Sequence, residues 1–342
     1  MFSLNYLAVL LLSIHQAFAA PSNAKTSLTL LYQNNLNASD DVNHVGFVLL
    51  DPFTQKEASI ACSAIGETLL PKSQIQRYKS DFVLSLSYSA YKGRAAPLQL
   101  YFIENGVAAV AENVGTISFP VVPFLNPKLP VLCTQSSNQS QPGTALATAS
   151  NEVTVASNGN NYVGFRNQKS FRFLGIPFAE PPARFEYSIP YTGKGQTLKS
   201  TTYGAQCPQG TSGSENCLFL NIQTPYLPKV DGKKDLRPVM FWIHGGGFVN
   251  GVGSDAGSDG GNLASREDIV VVTINYRLGS LGFLAIPGTN ITGNYGIADQ
   301  ITALEASEHL INIDLNSPLM FSVDHQKHCF FRWRSIKSHH HR

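Results

Sequence analysis

The stretch "RPVMFWIHGGGFVNG", residues 237 to 251, constrains this chain more than any other. An apolar run from Val239 to Ile243 feeds, through His244, into three glycines, Gly245 to Gly247. A second run, Ile269 to Ile274 ("IVVVTI"), is apolar or β-branched throughout. Runs of that kind suit parallel strands covered by helices on both faces. A strand that ends in stacked glycines exposes backbone N–H groups at its tip, and such groups can hold an oxyanion during acyl transfer. Glycine suits the place because a side chain would block approach to a substrate carbonyl. An oxyanion forms only when a nucleophile attacks a carbonyl, so the rest of the chain has to supply one.

The remaining composition sets bounds. A length of 342 residues suits two domains. Hydrophobic residues are 43%, enough for a sizeable core. Charged residues are only 14%, against roughly 25% in an average soluble chain. The net charge of +2 gives no electrostatic case for nucleic acid or an anionic membrane as a partner. Leu4 to Ile14 is apolar and is followed by Ala17-Phe18-Ala19, a small-x-small site. This reads as a secretory signal over residues 1–19. His15-Gln16 interrupts the run too early for a spanning helix of about 20 residues. The expectation is a secreted, extracellular product with no integral membrane segment after cleavage.

The five cysteines fit export. None lies in a C-x-x-C pair, which argues against a zinc ribbon or a thioredoxin site. Pairing neighbours within each half joins Cys62 to Cys133 and Cys207 to Cys217, leaving Cys329 over. Sequons at Asn37, Asn138 and Asn290 fit a glycoprotein.

Residues 20–133 read as a small β-rich, sandwich-like domain. "SLTLLYQ", "HVGFVLL" and "DFVLSLSY" are short apolar or alternating runs. "PLQLYFIENGVAAVAENV" places Asn105-Gly106 between two such runs, a strong hairpin signal. Helical periodicity is expected only near Pro71 to Tyr78. No His cluster, carboxylate pair or basic stripe marks a site there. Residues 134–150 are rich in Ser, Thr, Gln and Ala and carry no charge, which suits an exposed linker. A second hairpin, with Asn158-Gly159 at its tip, opens the next domain.

Five stretches then come in order: "FRFLGIPFAEPP" (171–182), "SENCLFLNIQTP" (214–225), "WIHGGGF" (242–248), "NYRLGSLGFL" (275–284) and "GNYGIADQ" (293–300). Together they resemble the type-B carboxylesterase, cholinesterase and lipase family of α/β-hydrolases. The resemblance covers 151–305. It implies an α/β fold with a mixed, mostly parallel sheet, preceded by the β-rich domain. It also implies a serine-esterase mechanism on a small-molecule carboxylic ester, with no cofactor and no metal. By the family's HGGG-type pattern, Gly246 and Gly247 match the oxyanion-hole donors. Cys207 and Cys217 resemble an early disulfide of the family. Arg184 with Glu215, and Arg277 with Asp299, resemble structural ion pairs. Asn216 stands where the family usually has an acidic residue, and the segment before Arg184-Phe185 is short. A G-x-G-x-x-A match, "GVGSDA" at 251–256, sits too far past its strand and opens no helix, so a dinucleotide role is rejected.

No Ser in the chain sits in G-x-S-x-G, the nucleophile elbow of α/β-hydrolases. Ile297, Ile301 and Leu304 start a helix acceptably, but the family pattern fails after Glu305, where Ala306 replaces the familiar Trp. By family spacing the nucleophile falls near Lys327, within "DHQKHCFFRWRSIKSHHHR". His325, His328, Cys329 and His339 to His341 match no standard zinc spacing. Residues 306–342 are read as an aberrant tail. The expectation is a secreted ester hydrolase relative that lacks Ser, acid and His and is inactive as given. A further expectation is that the 269–274 strand is left as an exposed apolar edge. The alternative is a non-catalytic secreted binding protein that uses its β-rich domain.

Overall fold

The computed structural model describes residues 26–96, 98–111, 115–121, 127–137, 146–229 and 236–311, together with the backbone of 319–323 and 331–332. The leader-like residues, Asn138 and the His- and Cys-bearing part of the tail lie outside the described residues.

The chain opens with β1 (Leu28–Leu31) and β2 (Phe47–Phe53), followed by α1 (Gln55–Ser63), α2 (Lys72–Arg77) and α3 (Lys79–Tyr91). The strands β3 (Leu100–Ile103), β4 (Gly106–Ala111), β5 (Thr116–Ser118) and β6 (Leu129–Cys133) complete the N-terminal part. These strands belong to one seven-stranded sheet, which corrects the sandwich reading. Its hairpin turns at Asn105, whose φ of 56° is the left-handed conformation the Asn-Gly signal calls for. "DFVLSLSY" is helical and not extended. Its alternation of apolar residues with serines mimics a strand, but Phe82, Ser85, Leu86 and Ser89 are buried at helical spacing. Phe82 stacks on Phe47 of β2 with ring centroids 4.4 Å apart. Successive β2 residues serve opposite faces, as the pleat requires. Phe47 packs under the helices with Ile75, Phe82 and Leu86, while Val48 and Leu50 face a second cluster. That second cluster also holds Phe171, Leu220, Phe241 and Val272 of the C-terminal part, so the two sheets share apolar packing.

The C-terminal part contains β7 (Glu152–Ser157), β8 (Asn160–Arg166), β9 (Phe171–Pro177), β10 (Thr197–Lys199), β11 (Phe219–Thr224) and β12 (Tyr226–Leu227). After them come β13 (Val239–Ile243), α4 (Gly261–Glu267), β14 (Val270–Ile274), α5 (Gly279–Phe283) and α6 (Tyr295–Ile311). The backbone of β15 (Leu319–Val323) and β16 (Phe331–Arg332) closes the order. The short β12 joins the first sheet at β1. The others form a nine-stranded mixed sheet ordered β10-β8-β9-β11-β14-β13-β15-β16, with β7 on β8.

Of the eight pairings described in that sheet, three are parallel and five antiparallel. The α/β class stands, but the parallel character is confined to β8–β10 and β14–β13–β15. Short turns make β7, β8 and β9 antiparallel neighbours, whereas the crossover through α4 sets β14 parallel to β13. The edge expectation is also corrected. β14 lies between β11 and β13, and the backbone of β15 runs parallel along the outer side of β13, with Ile243 opposite Val323. All five β14 residues are buried.

α6 continues past Glu305 to Ile311. Its buried face is Asp299, Thr302, Ala303 and Ser307, while Ile297 and Ile301 are exposed. Of the apolar stripe read from sequence, Ile297 and Ile301 therefore point outward, while Leu304 packs against the core. The buried polar residues are bonded, Asp299 to Arg277 and Ser307 Oγ to the Ala303 carbonyl at 2.7 Å. The start of the 134–150 segment is likewise tied down. Gln135 donates to the Asn167 carbonyl at 2.9 Å, and Ser137 to the Arg166 carbonyl at 3.0 Å.

Candidate functional site

β13 and β14 lie side by side in register from Val239–Val270 to Ile243–Ile274, so the segments leaving both strands emerge at one edge. The carboxyl end of parallel strands is where ligands bind in open α/β sheets. His244 leaves β13 and is buried against Tyr276, which leaves β14. Their rings are stacked at 4.4 Å, and the Tyr276 hydroxyl donates to the His244 carbonyl at 2.9 Å. The His244 Nδ1–H donates to the Gly245 carbonyl at 2.9 Å, and Nε2 has no partner among the described residues. Burial pulls the His244 pKa below its ordinary value despite that bond, so the ring is neutral at physiological pH.

The chain then turns sharply. Gly246, Gly247 and Phe248 have φ of 115°, 61° and 64°, and Gly251 has 121°. The Val249 and Asn250 amides both donate to the Gly246 carbonyl, at 3.1 and 3.2 Å. A Cβ at Gly246 would fall 2.0 Å from the Asn250 carbonyl oxygen, and one at Gly251 would fall 2.2 Å from His244 Nδ1. Only glycine fits these two positions without rebuilding the loop. Phe248, a bulky residue in a left-handed conformation, is held by the Gly279 amide, which donates to its carbonyl at 2.7 Å, and by the Phe283 ring at 5.0 Å. Strained backbone of this kind persists where its surroundings fix it, often at functional sites. Gly246 and Gly247 are exposed, and among the described residues neither amide donates to a protein acceptor.

A set of neutral amides and hydroxyls fixes the far end of the loop. The Gly253 amide donates to Asn275 Oδ1 at 2.9 Å, and its carbonyl accepts from Thr273 Oγ1 at 2.6 Å. Asn275 Nδ2 donates to the carbonyls of Ala205 and Cys217, at 3.0 and 3.1 Å. Gln209 bonds to both the amide and the carbonyl of Gly251, each at 2.9 Å.

The remaining sequence candidates divide by distance from this loop. Cys207 and Cys217 are joined, with Cα atoms 4.9 Å apart, and their loop abuts Gly251 through Gln209. Arg277, next after Tyr276, makes a bidentate bond to Asp299, Nε to Oδ2 and Nη2 to Oδ1, both 2.8 Å; Arg277 is 3% and Asp299 0% exposed. Arg184 and Glu215 pair through Nε at 2.8 and 3.0 Å, but in solvent. Each holds the other's charged form, raising the Arg184 pKa and lowering that of Glu215. Cys62 and Cys133 are joined between α1 and β6, away from the loop. Asn37 and Asn290 are exposed. Among the described residues no group of His, Cys, Asp and Glu could hold a metal.

Gln209, Asn275 and Tyr276 were not singled out from the sequence. Asn275-Tyr276 could have been, because they directly follow a buried parallel strand and so sit at the ligand-binding edge. Gln209 carries no such signal. Four buried ion pairs were also missed, one of them Arg237 with Asp268 at 2.8 Å. Arg172 holds Asp259 beside Tyr203, Lys169 meets Asp41 at 2.9 Å, and Arg166 pairs with Glu67. The last two join the first sheet to the second.

Residues 155–311 match the carboxylesterase family. The chain is 40% identical over 157 residues to the human (Homo sapiens) bile salt-activated lipase, a match covering 42% of this chain and 21% of that protein. It is 39% identical over 150 residues to the para-nitrobenzyl esterase of Bacillus subtilis (strain 168), covering 39% of this chain and 30% of that protein. The solved carboxylesterase EST55 of Geobacillus stearothermophilus aligns at 36% identity with a TM-score of 0.44, over 50% of this chain and 37% of its own. The chain thus spans between a fifth and a third of the length of the two curated relatives.

Proposed function

We propose, from the premise that residues 155–311 belong to the carboxylesterase family, that the loop after β13 is an oxyanion-binding half-site for carboxylic esters. The observation that carries this reading is the pair of exposed amides at Gly246 and Gly247, free of protein acceptors among the described residues and held on a strained, multiply anchored turn. When a nucleophile adds to an ester carbonyl, the electron pair moves to oxygen, and fixed N–H donors stabilise that charge without reorganising. Removing one such donor from a working enzyme costs on the order of a hundredfold to a thousandfold in rate. The neutral His244 behind the turn adds no competing charge.

The attacking group belongs to the other half of the chemistry. A serine esterase uses a Ser hydroxyl, a His that takes its proton, and an acid that orients the His. The chain has no G-x-S-x-G, and the described residues bring no Ser–His–acid set to Gly246 and Gly247. We therefore propose that this chain by itself does not turn over esters. Secretion is supported by the leader-like residues 1–19 and by two disulfides, which persist in oxidising compartments.

Acetate tests the half-site, because its carboxylate presents the charge an oxyanion would. In ¹⁵N-glycine-labelled chain, acetate should shift the Gly246 and Gly247 amide resonances in a saturable way and leave distant glycines such as Gly66 and Gly93 still. Equal response at all glycines, or none, sinks the reading. A p-nitrophenyl ester should show no turnover above background.

The second reading, a non-catalytic binding role for the first sheet, has one observation in its favour. An open groove of about 460 Å³ runs along β1 and β2, lined also by Tyr88, Arg94, Tyr226 and Arg237. That volume lies within the roughly 300–1,000 Å³ of small-ligand sites. Saturable shifts confined to this groove, with the loop glycines silent, would favour it.

A further inference from the structure

The disulfide loop and the glycine loop are separate in sequence but share one side chain. Cys207–Cys217 closes a ten-residue separation, inside which Gln209 and Ser212 exchange backbone hydrogen bonds at 2.9 and 3.1 Å. Gln206 Nε2 adds a bond to Ser212 Oγ at 2.7 Å, and the Ser214 amide one to the Gln206 carbonyl at 2.9 Å. The result is a short, cross-linked platform. From it the Gln209 carboxamide reaches Gly251. Its Oε1 accepts the Gly251 N–H and its Nε2 donates to the Gly251 carbonyl, both at 2.9 Å. A third contact, Nε2 to the Cys207 carbonyl at 3.3 Å, ties the same amide back to the disulfide.

Gly251 is where the glycine loop closes on itself. It sits so near His244 and the Gly245 carbonyl that any Cβ would fall 2.2 and 2.4 Å from them. Holding Gly251 therefore holds the start of the loop, and with it the direction of the Gly246 and Gly247 amides. A primary carboxamide can accept from the N–H and donate to the C=O of one residue simultaneously; a carboxylate accepts only, and alanine does neither.

We propose that Gln209 is a positioning residue for the Gly246–Gly247 anion site, and that the Cys207–Cys217 disulfide acts on that site through it. This inference rests on the oxyanion reading of the loop for its functional meaning, and on the Gln209–Gly251 geometry for its mechanism. Reduction of this one disulfide would loosen the anion site while the β13–β14 strands stay paired.

The test uses the full chain with its disulfides and compares it with Gln209→Ala, Gln209→Glu, the double change Cys207→Ser with Cys217→Ser, and the triple combination. Two quantities are read: hydrogen exchange of the amides in 244–253, and the acetate response of Gly246 and Gly247. Exchange in α3, and an intact Cys62–Cys133 bond, report that the rest stays folded. Losing two neutral hydrogen bonds should speed exchange in 244–253 by on the order of tenfold to thirtyfold in Gln209→Ala. Gln209→Glu should fall between, because it keeps an acceptor for the Gly251 amide. The disulfide variant should behave like Gln209→Ala, and the triple variant should be no worse than either, since coupled residues are non-additive. The acetate response should weaken in the same order.

Unchanged exchange in 244–253 in Gln209→Ala overturns the proposal, as does full additivity in the triple variant. If the native chain ignores acetate, the oxyanion reading fails separately, and the exchange comparison still decides whether Gln209 holds the loop. If the disulfide variant does not fold, Gln209→Ala and Gln209→Glu decide, since Gln209 is only partly buried.

Discussion

The two sheets are stabilised in different ways. The first is a sheet against helices, with Phe47, Ile75, Phe82, Leu86 and Leu132 packed between. Two of its buried charges, Glu67 and Asp41, sit where it meets the second sheet, and a third, Asp81, bonds His44. The second buries polar groups within its strands, just past β14 and on α6. Asn221, Thr273, Asn275, Arg277 and Asp299 are all under a tenth exposed and bonded to backbone or to one another. Apolar packing is tolerant of direction, whereas a buried amide or ion pair is not. The first sheet is therefore a support, while in the second Asn221, Thr273 and Asn275 fix the far end of one loop and Arg277 with Asp299 ties α6 down. Substitutions should separate the two.

The largest effect is expected at the second sheet's ion pair. Asp299→Ala leaves the Arg277 guanidinium buried and unpaired, a loss of about 3–5 kcal/mol, read as a large fall in urea midpoint. A loss well under that would mean that Arg277 reaches water when unpaired. Phe82→Ala should come next, at about 3–4 kcal/mol for an emptied aromatic site, with the 244–253 amides still protected. If those amides lose protection too, the two regions are one cooperative unit and the contrast fails. Gly251→Ala should cost less, about 1–3 kcal/mol for a strained backbone, but should deprotect 244–253 selectively.

The smallest effect is a pH dependence that belongs to the first sheet alone. His44 bonds Asp81 through Nδ1 at 3.0 Å and Asp40 through Nε2 at 3.1 Å. Burial alone would lower its pKa, but the two carboxylates outweigh that and raise it above 6.5. A raised folded pKa stabilises fully below the ordinary value and is lost as pH rises through the folded one. The melting temperature should thus decline slightly as pH climbs past that value, and His44→Gln should flatten the decline. A rise over the same window would contradict the assignment.

Local signals were legible where geometry is local. Both Asn-Gly turns, at Asn105 and Asn158, take the left-handed conformation. The runs 239–243 and 269–274 gave strands. Two features were not legible. α3 carries serines at alternate positions, and two of them are buried with Phe82 and Leu86, so polarity and burial disagree. In α6 the buried face is led by Asp299, whose burial depends on Arg277, twenty-two residues earlier. Strand order was also hidden, because which neighbour β14 takes depends on crossovers and not on its own residues. Of the candidate site, the tight glycine turn after β13 was readable from sequence. Its clamp was not, since Gln209 has meaning only once a disulfide brings it to Gly251.

The most direct measurement treats the purified chain with an organophosphate and weighs the intact protein. The proposed oxyanion half-site, lacking a nucleophile of its own, predicts no stoichiometric adduct. One adduct per chain, mapped reproducibly to a single serine, would contradict the account.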